Sequence, residues 1–125
     1  MSMQCRGIRG ATTATANTKE AILEATREML ERLVEANDLQ KESLAAAIFS
    51  TTTDLNAEYP AVAARVGLGW TDVALMSTHE MNVPDGQANC IRVLLLVNTE
   101  KQTNEMVNVY LRDAVNLRSR GTENS

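Results

Sequence analysis

The apolar run from Cys90 to Val97 limits the possible folds more than any other stretch of the chain. It is rich in Val, Ile and Leu and contains no Gly or Pro, which is typical of a strand that is buried on both faces. Alternate residues of a strand point to opposite faces of the sheet. Arg92 therefore shares its face with Cys90, Leu94 and Leu96.

The Arg92 guanidinium keeps its charge in a protein, so apolar surroundings require a hydrogen-bonded anion beside it. That anion is either a carboxylate of the protein or a bound ligand. From this strand alone, a structural ion pair with an Asp or Glu is the simpler interpretation. An arginine that binds a ligand is the alternative, and it depends on what the rest of the chain provides.

Composition bounds the size of the domain and the kind of partner. The 125 residues are enough for one domain with a modest core, and at 3% aromatic content that core has to be aliphatic. The formal net charge of -4 argues against nucleic acid as a partner. Most of the basic residues are nevertheless arginines, the side chain best suited to planar carboxylates and phosphates.

The cysteines and the N-terminus indicate a cytoplasmic protein with free thiols. Cys5 and Cys90 have neither the spacing of a disulfide scaffold nor, with the single His79, the ligands of a zinc site. We therefore expect no metal. The N-terminal segment lacks the apolar core of a signal peptide, and the longest apolar run is too short to cross a bilayer, so no membrane partner is expected.

Apolar periodicity divides the chain into strands and helices. Strands are predicted near 4–9, 45–52, 72–77 and 90–97. The clearest helix follows Asn17–Glu20, which resembles a capping box, and ends at Asn37–Asp38. Shorter helices are predicted at 60–66 and from Asn104 to about Ala114.

These elements predict an α/β domain, close to α+β, in which one long helix covers a mixed sheet. Residues 1–118 are expected to form the domain and 119–125 a flexible tail. The helices are too few to cover both faces of a sheet whose central strand is apolar on both sides. The uncovered face is therefore expected to pack against other copies of the chain, with sites at the interfaces of a closed oligomer.

Several short motifs occur in an order and spacing that resemble a known family. They are Arg6-Gly-Ile-Arg-Gly-Ala-Thr-Thr13, Asp54-Leu-Asn-Ala-Glu-Tyr-Pro-Ala61, Gly69-Trp70, His79-Glu-Met81, Cys90-Ile-Arg-Val93 and Val109-Tyr-Leu111. Each is nonspecific alone. Together they resemble the small, monofunctional chorismate mutases that assemble as trimers, the AroH class, and the resemblance extends from about Arg6 to Arg118.

The resemblance implies a fold and a reaction. The fold is a mixed sheet crossed by one long helix, and three copies join as a pseudo-α/β-barrel with active sites between neighbours. The reaction is the isomerisation of chorismate to prephenate, a shikimate-pathway step toward aromatic amino acids. It is unimolecular and pericyclic, so no catalytic triad, metal or cofactor is expected. Catalysis has to come from conformer restriction and from charge placed where it develops.

The resemblance also implies roles for individual residues, each by its position in a motif. Three are implied as catalytic: Arg92 at the ether oxygen and a carboxylate, Arg9 at the side-chain carboxylate, and Glu80 at the ring hydroxyl. Further contacts with the substrate are implied for Tyr110, Ser77, Tyr59, Ala61, Arg65, Leu117 and Arg118.

Part of this implied site is expected to come from the neighbouring subunit, where Tyr59 and Ala61 line an apolar wall and Arg65 adds positive potential. Arg118 is expected to close over the bound substrate. One position departs from the pattern: Val62 stands where relatives can have lysine. The resemblance therefore implies that this chain lacks one cation at the rim of the pocket.

Two other classes of function use the same residues. A non-catalytic trimer that binds a small carboxylate as a regulator would keep both arginines, and fold alone does not exclude it. Glu80 favours the enzyme, because a carboxylate does not help a site that binds anions in general, whereas it suits a ligand with a hydroxyl group opposite its carboxylates. A structural assembly protein would leave Arg9, Arg92 and Glu80 without a common purpose.

Overall fold

One mixed, five-stranded sheet forms the centre of the protein, as a computed structural model of residues 2–119 shows. The strand order is β3-β2-β4-β1-β5. β4 runs antiparallel to β1 and β2, whereas β3 is parallel to β2 and β5 is parallel to β1. The strands are β1 (Gln4–Thr13), β2 (Leu44–Thr51), β3 (Ala74–His79), β4 (Cys90–Thr99) and β5 (Val109–Tyr110). The predicted mixed sheet is confirmed.

A single long helix, α1 (Lys19–Asn37), covers one face of this sheet. Its apolar stripe follows the spacing of a helix that has one buried side. The buried side chains of the stripe are Ile22, Ala25, Met29, Leu30 and Leu33. They form one core with sheet residues that include Ile8, Phe49, Ile91, Val93 and Leu95. α1 is thus the predicted cover of the sheet.

The start of α1 differs from the prediction. Thr18 is the N-cap residue, and its hydroxyl accepts a hydrogen bond from the Ala21 N–H at 3.1 Å. The capping box predicted for Asn17 and Glu20 is therefore wrong, because the threonine one residue later satisfies the free N–H group. Asn17 instead accepts from the Asn56 N–H at 3.0 Å and so connects the start of the helix to the loop after β2.

The helix predicted from Asn104 to about Ala114 is wrong. The chain there forms a 3-10 turn at Thr103–Glu105, then β5, and then a 3-10 helix at Arg112–Ser119, which we call the C-terminal helix. β1 offers a free edge to this segment, and pairing with that edge outweighs the helical spacing of the apolar residues.

Shorter helical turns lie between the strands. Lys41–Ser43 is a 3-10 turn that leads into β2, and Ala63–Gly67 is a π-helical turn that overlaps the helical region predicted at 60–66. No helix in the part of the chain that the structure describes is long and apolar enough to cross a membrane. Most of the predicted tail, 119–125, lies outside that part, and the cytoplasmic location stays a prediction.

β4 is buried along one face and partly exposed on the other. Its residues Ile91, Val93 and Leu95 are buried under α1, whereas Arg92 and Leu94 on the other side are exposed. The expectation of a strand buried on both faces is therefore wrong for a single chain, because α1 covers only one side of the sheet. We call the side away from α1 the open face.

Gly10 of β1 allows α1 to pack closely on the sheet. A Cβ atom at this position would lie 2.7 Å from Leu33 Cδ1 and 3.3 Å from Met29 Cγ. Both of these side chains are fully buried, and close-packed interiors leave little room for them to move. The packing of α1 on β1 therefore depends on glycine at this position.

Replacing Gly10 with Ala is expected to lower the free energy of unfolding by about 1–3 kcal/mol, the usual cost of overpacking a core. Gly67→Ala is the matched control, because the Cβ added there meets only Arg27 Cδ, at 3.8 Å. Urea unfolding followed by circular dichroism measures both variants. A Gly10→Ala protein as stable as the wild type would show that α1 does not press on β1 at this point.

Candidate active site

The register of the sheet places several of the predicted site residues in adjacent positions on the open face. Arg92 of β4 lies opposite Ser50 of β2 and Ala11 of β1, and Ala11 lies opposite Tyr110 of β5. Directly opposed residues project from the same side of a sheet. Arg9 projects from that side as well, two residues from Ala11 along β1. Side chains from both ends of the sequence thereby meet.

These side chains line a cleft that contains both signs of charge. The cleft has a volume of about 340 Å³, and its lining includes Arg9, Glu80, Arg92, Tyr110 and Leu117. A second cavity of about 500 Å³ lies beside it under the loop that follows β3 and shares Ser50, Glu80, Arg92 and Leu117 with it. The structure therefore brings together the three residues predicted as catalytic and two of the predicted substrate contacts.

Glu80 stands where the chain leaves β3. Its N–H donates to the Thr51 carbonyl oxygen at 2.7 Å, which continues the pairing of β2 with β3. One carboxylate oxygen accepts from the Met81 N–H at 2.9 Å. The other lies 3.8 Å from Arg92 Nε. The Glu80 carboxylate is therefore held in place by the backbone and aimed at the arginine.

Arg92 thus lies beside a carboxylate of the protein, as the strand alone suggested. Its pair with Glu80 is nevertheless not buried. The Arg92 and Glu80 side chains are 47% and 39% exposed. At 3.8 Å the two groups attract each other without a hydrogen bond, and such exposed pairs contribute little to stability. Both side chains therefore remain accessible to a ligand in the cleft.

A second group of predicted contacts lies elsewhere in the chain. Ser77 of β3 accepts a hydrogen bond from the Ala61 N–H at 3.4 Å, and Ser77 and Tyr59 line a separate cavity of about 330 Å³. Arg65 is exposed on the π-helical turn. Within one chain these residues do not line the Arg92 cleft. A site that combines the two groups would have to be shared between subunits.

The side chain of Arg118 lies outside the described residues, so its closure over substrate stays a prediction. Ser50 is a residue that the sequence reasoning missed. Ser50 lines both cavities, and its buried hydroxyl has no hydrogen-bond partner among the residues that the structure describes. The only signal in the sequence was that Ser50 follows the apolar Phe49 in β2, so that its side chain projects from the opposite face.

Cys90 is a buried thiol at the start of β4, where its N–H donates to Thr52 Oγ1 at 2.9 Å. Burial raises the pKa of the Cys90 thiol above its ordinary value, and the neighbouring Arg92 charge offsets only part of this effect. The thiol therefore stays protonated at neutral pH. It adds no negative charge beside the arginine.

Cys90 is expected to react much more slowly than the exposed Cys5 with iodoacetamide at about pH 8, because burial shields it and its raised pKa suppresses the reactive thiolate. Mass spectrometry of the two cysteine peptides over time measures both rates. Equal rates would contradict the prediction.

The raised pKa of Cys90 also affects stability. As the pH rises above the ordinary thiol pKa of 9.0, the Cys90 thiol ionises first in the unfolded chain, so the free energy of unfolding falls.

The fold and the cleft define a small mixed-sheet protein that presents two arginines, a phenol and a carboxylate in one cleft. Comparison with known proteins agrees with this class. The family model for chorismate mutase type I matches residues 5–120. A solved chorismate mutase from Clostridium thermocellum has a TM-score of 0.84 to this chain at 42% identity, covering 86% of this chain and 96% of that one.

Two curated relatives are similar over nearly their whole length. Chorismate mutase AroH of Thermus thermophilus is 49% identical over 114 residues, which is 90% of this chain and 93% of that protein. Chorismate mutase AroH of Bacillus subtilis (strain 168) is 40% identical over 116 residues, covering 93% and 91%. The chain belongs to the type I chorismate mutases.

This result confirms the family, the fold and the isomerase class that the motifs implied. It does not favour the non-catalytic carboxylate binder or the assembly protein. The homotrimer and the roles of the individual side chains stay predictions.

Proposed function

We propose that this chain converts chorismate to prephenate in clefts between the subunits of a homotrimer. The observation that carries the proposal is the cleft on the open face, where Arg92, Arg9 and Tyr110 meet Glu80. Cationic and phenolic donors with one carboxylate acceptor suit a ligand that carries both carboxylates and a hydroxyl group. Chorismate is such a ligand.

The rearrangement asks for positioning and for charge stabilisation. It is unimolecular, so binding has to hold the enolpyruvyl side chain over the ring in the compact, reactive conformer. The ether C–O bond breaks while a C–C bond forms, and negative charge grows on the ether oxygen. A donor aimed at that oxygen binds the transition state more strongly than the ground state, and this difference accelerates the reaction.

Arg92 is the residue proposed to donate to the ether oxygen, because it lies in the middle of the site, between Arg9 on one side and Glu80 on the other. Arg9 and Tyr110 then bind the side-chain carboxylate. Glu80 accepts from the ring hydroxyl. The Met81 N–H already orients the Glu80 carboxylate at 2.9 Å, so little reorganisation is required when the substrate binds.

The open face supports the trimer. Met76 and Leu94 are 60% and 38% exposed in the single chain, and Ile48 joins them to form an apolar row across three strands. Apolar surface of this kind is usually covered by a partner. A neighbouring copy that packs on it would bring its own group around Tyr59 and Ser77 toward the Arg92 cleft and complete the second wall.

Sedimentation equilibrium at micromolar concentration is expected to give three times the mass of the chain. Met76→Asp is expected to dissociate the assembly and to abolish activity while the circular dichroism spectrum is kept, because this side chain lies on the open face, is 60% exposed and does not line the Arg92 cleft. Arg32→Asp, which adds a carboxylate on the exposed side of α1, is the control and should leave a trimer. A monomeric wild-type protein with full activity would contradict the shared site.

Arg92→Ala is expected to reduce kcat by about 100- to 1,000-fold with a much smaller rise in KM, because its charge acts chiefly in the transition state. Citrulline at this position keeps the shape without the charge and should give a loss in kcat of the same kind. The decrease of chorismate absorbance in the ultraviolet measures both. A wild-type protein without activity on chorismate would contradict the proposed function, and near-normal kcat in Arg92→Ala would contradict the mechanism.

A further inference from the structure

The C-terminal helix is attached to the rest of the protein at its first residue. Arg112 has a φ of 55°, in the left-handed region that residues other than glycine seldom adopt. The chain turns there from β5 into the helix that carries Leu117. Such a conformation persists where the surrounding contacts hold it.

The Arg112 side chain provides those contacts. Its Nη1 donates to the Thr13 carbonyl oxygen at the end of β1 at 3.0 Å, and its Nε donates to Glu28 Oε1 on α1 at 3.2 Å. Its Nη2 lies 3.6 Å from Glu24 Oε1, one turn earlier on α1. With the side chain only 25% exposed, one guanidinium joins the end of β1, the middle of α1 and the start of the C-terminal helix.

Neighbouring contacts hold the same turn between β5 and the C-terminal helix. The Leu111 N–H donates to the Ala11 carbonyl oxygen at 2.9 Å, and Ala114 is fully buried. Beyond this first turn the side chain of Val115 is 55% exposed. Leu117 nevertheless lines both cavities of the site. Arg112 therefore holds the turn from which the chain continues to Leu117.

We propose that Arg112 is a positioning residue for the reaction: it clamps the C-terminal helix to α1 and β1, and thereby holds Leu117 at the cleft before substrate arrives. This inference rests on the proposed function. Without the clamp the helix has to be ordered when the substrate binds, and that ordering weakens binding. The side chains at the reacting bonds are untouched, so the chemical step keeps its rate.

Arg112→Ala is expected to raise KM by about tenfold, the loss that corresponds to one charge-assisted hydrogen bond, with kcat within about twofold of the wild type. Arg27→Ala is the matched control. It removes an ion pair from the same helix, to Glu31 at 3.1 Å, in which both partners are more than half exposed. Its KM should equal that of the wild type.

A double-mutant cycle separates positioning from general stabilisation. In a Leu117→Ala background the effect of Arg112→Ala on KM should largely disappear, because the side chain that Arg112 positions is already missing. Glu28→Gln, which keeps an acceptor of the same shape without the charge, should give a smaller rise in KM. It also serves as the test if Arg112→Ala does not fold.

The outcomes distinguish this inference from the proposed function. A wild-type protein that is inactive on chorismate contradicts the proposed function itself. An active wild type with unchanged KM in both Arg112→Ala and Glu28→Gln, even with a lower Tm, shows a purely structural ion pair and overturns the inference. A KM effect of Arg112→Ala that is the same in the Leu117→Ala background overturns it as well.

Discussion

The packing of one helix on one face of the sheet is the constraint on which the rest of the structure depends. α1 is long enough to cover the strands on a single side, and Gly10 lets it pack closely there. The buried side chains of α1 form one core with Ile8, Phe49, Ile91, Val93 and Leu95 on that side. The opposite face is left with exposed apolar side chains and with the charged groups of the cleft. The core and the site therefore lie on opposite faces of the same strands.

This separation explains how an arginine can stand in a strongly apolar strand. Period-2 alternation sends Val93 into the core and Arg92 to the open face, where solvent or a ligand compensates its charge. The Glu80 carboxylate lies near enough to attract the guanidinium and far enough to leave its donors available. The electrostatics of the site therefore carry little of the folding stability, which the buried aliphatic side supplies.

The sequence reasoning succeeded where the signal was local or carried by motifs. The spacing of apolar residues located α1 and four of the five strands, and the motifs grouped Arg9, Glu80 and Arg92, which line one cleft. It failed where a competing partner decided the outcome. Thr18 replaced Asn17 as the cap because its hydroxyl reaches the Ala21 N–H. The segment around Tyr110 became a strand because the edge of β1 was free to pair with it.

By itself the sequence determined the family, the mixed-sheet fold class and the kinds of side chain in the site, because periodicity and the order of motifs can be read directly from the chain. The tertiary structure alone decided which side of β4 is buried, which residues lie opposite Arg92, and how Arg112 joins α1 to the C-terminal helix. These depend on strand register and on contacts between residues far apart in the sequence. No local pattern encodes such contacts, because each is chosen by the competition among all available partners.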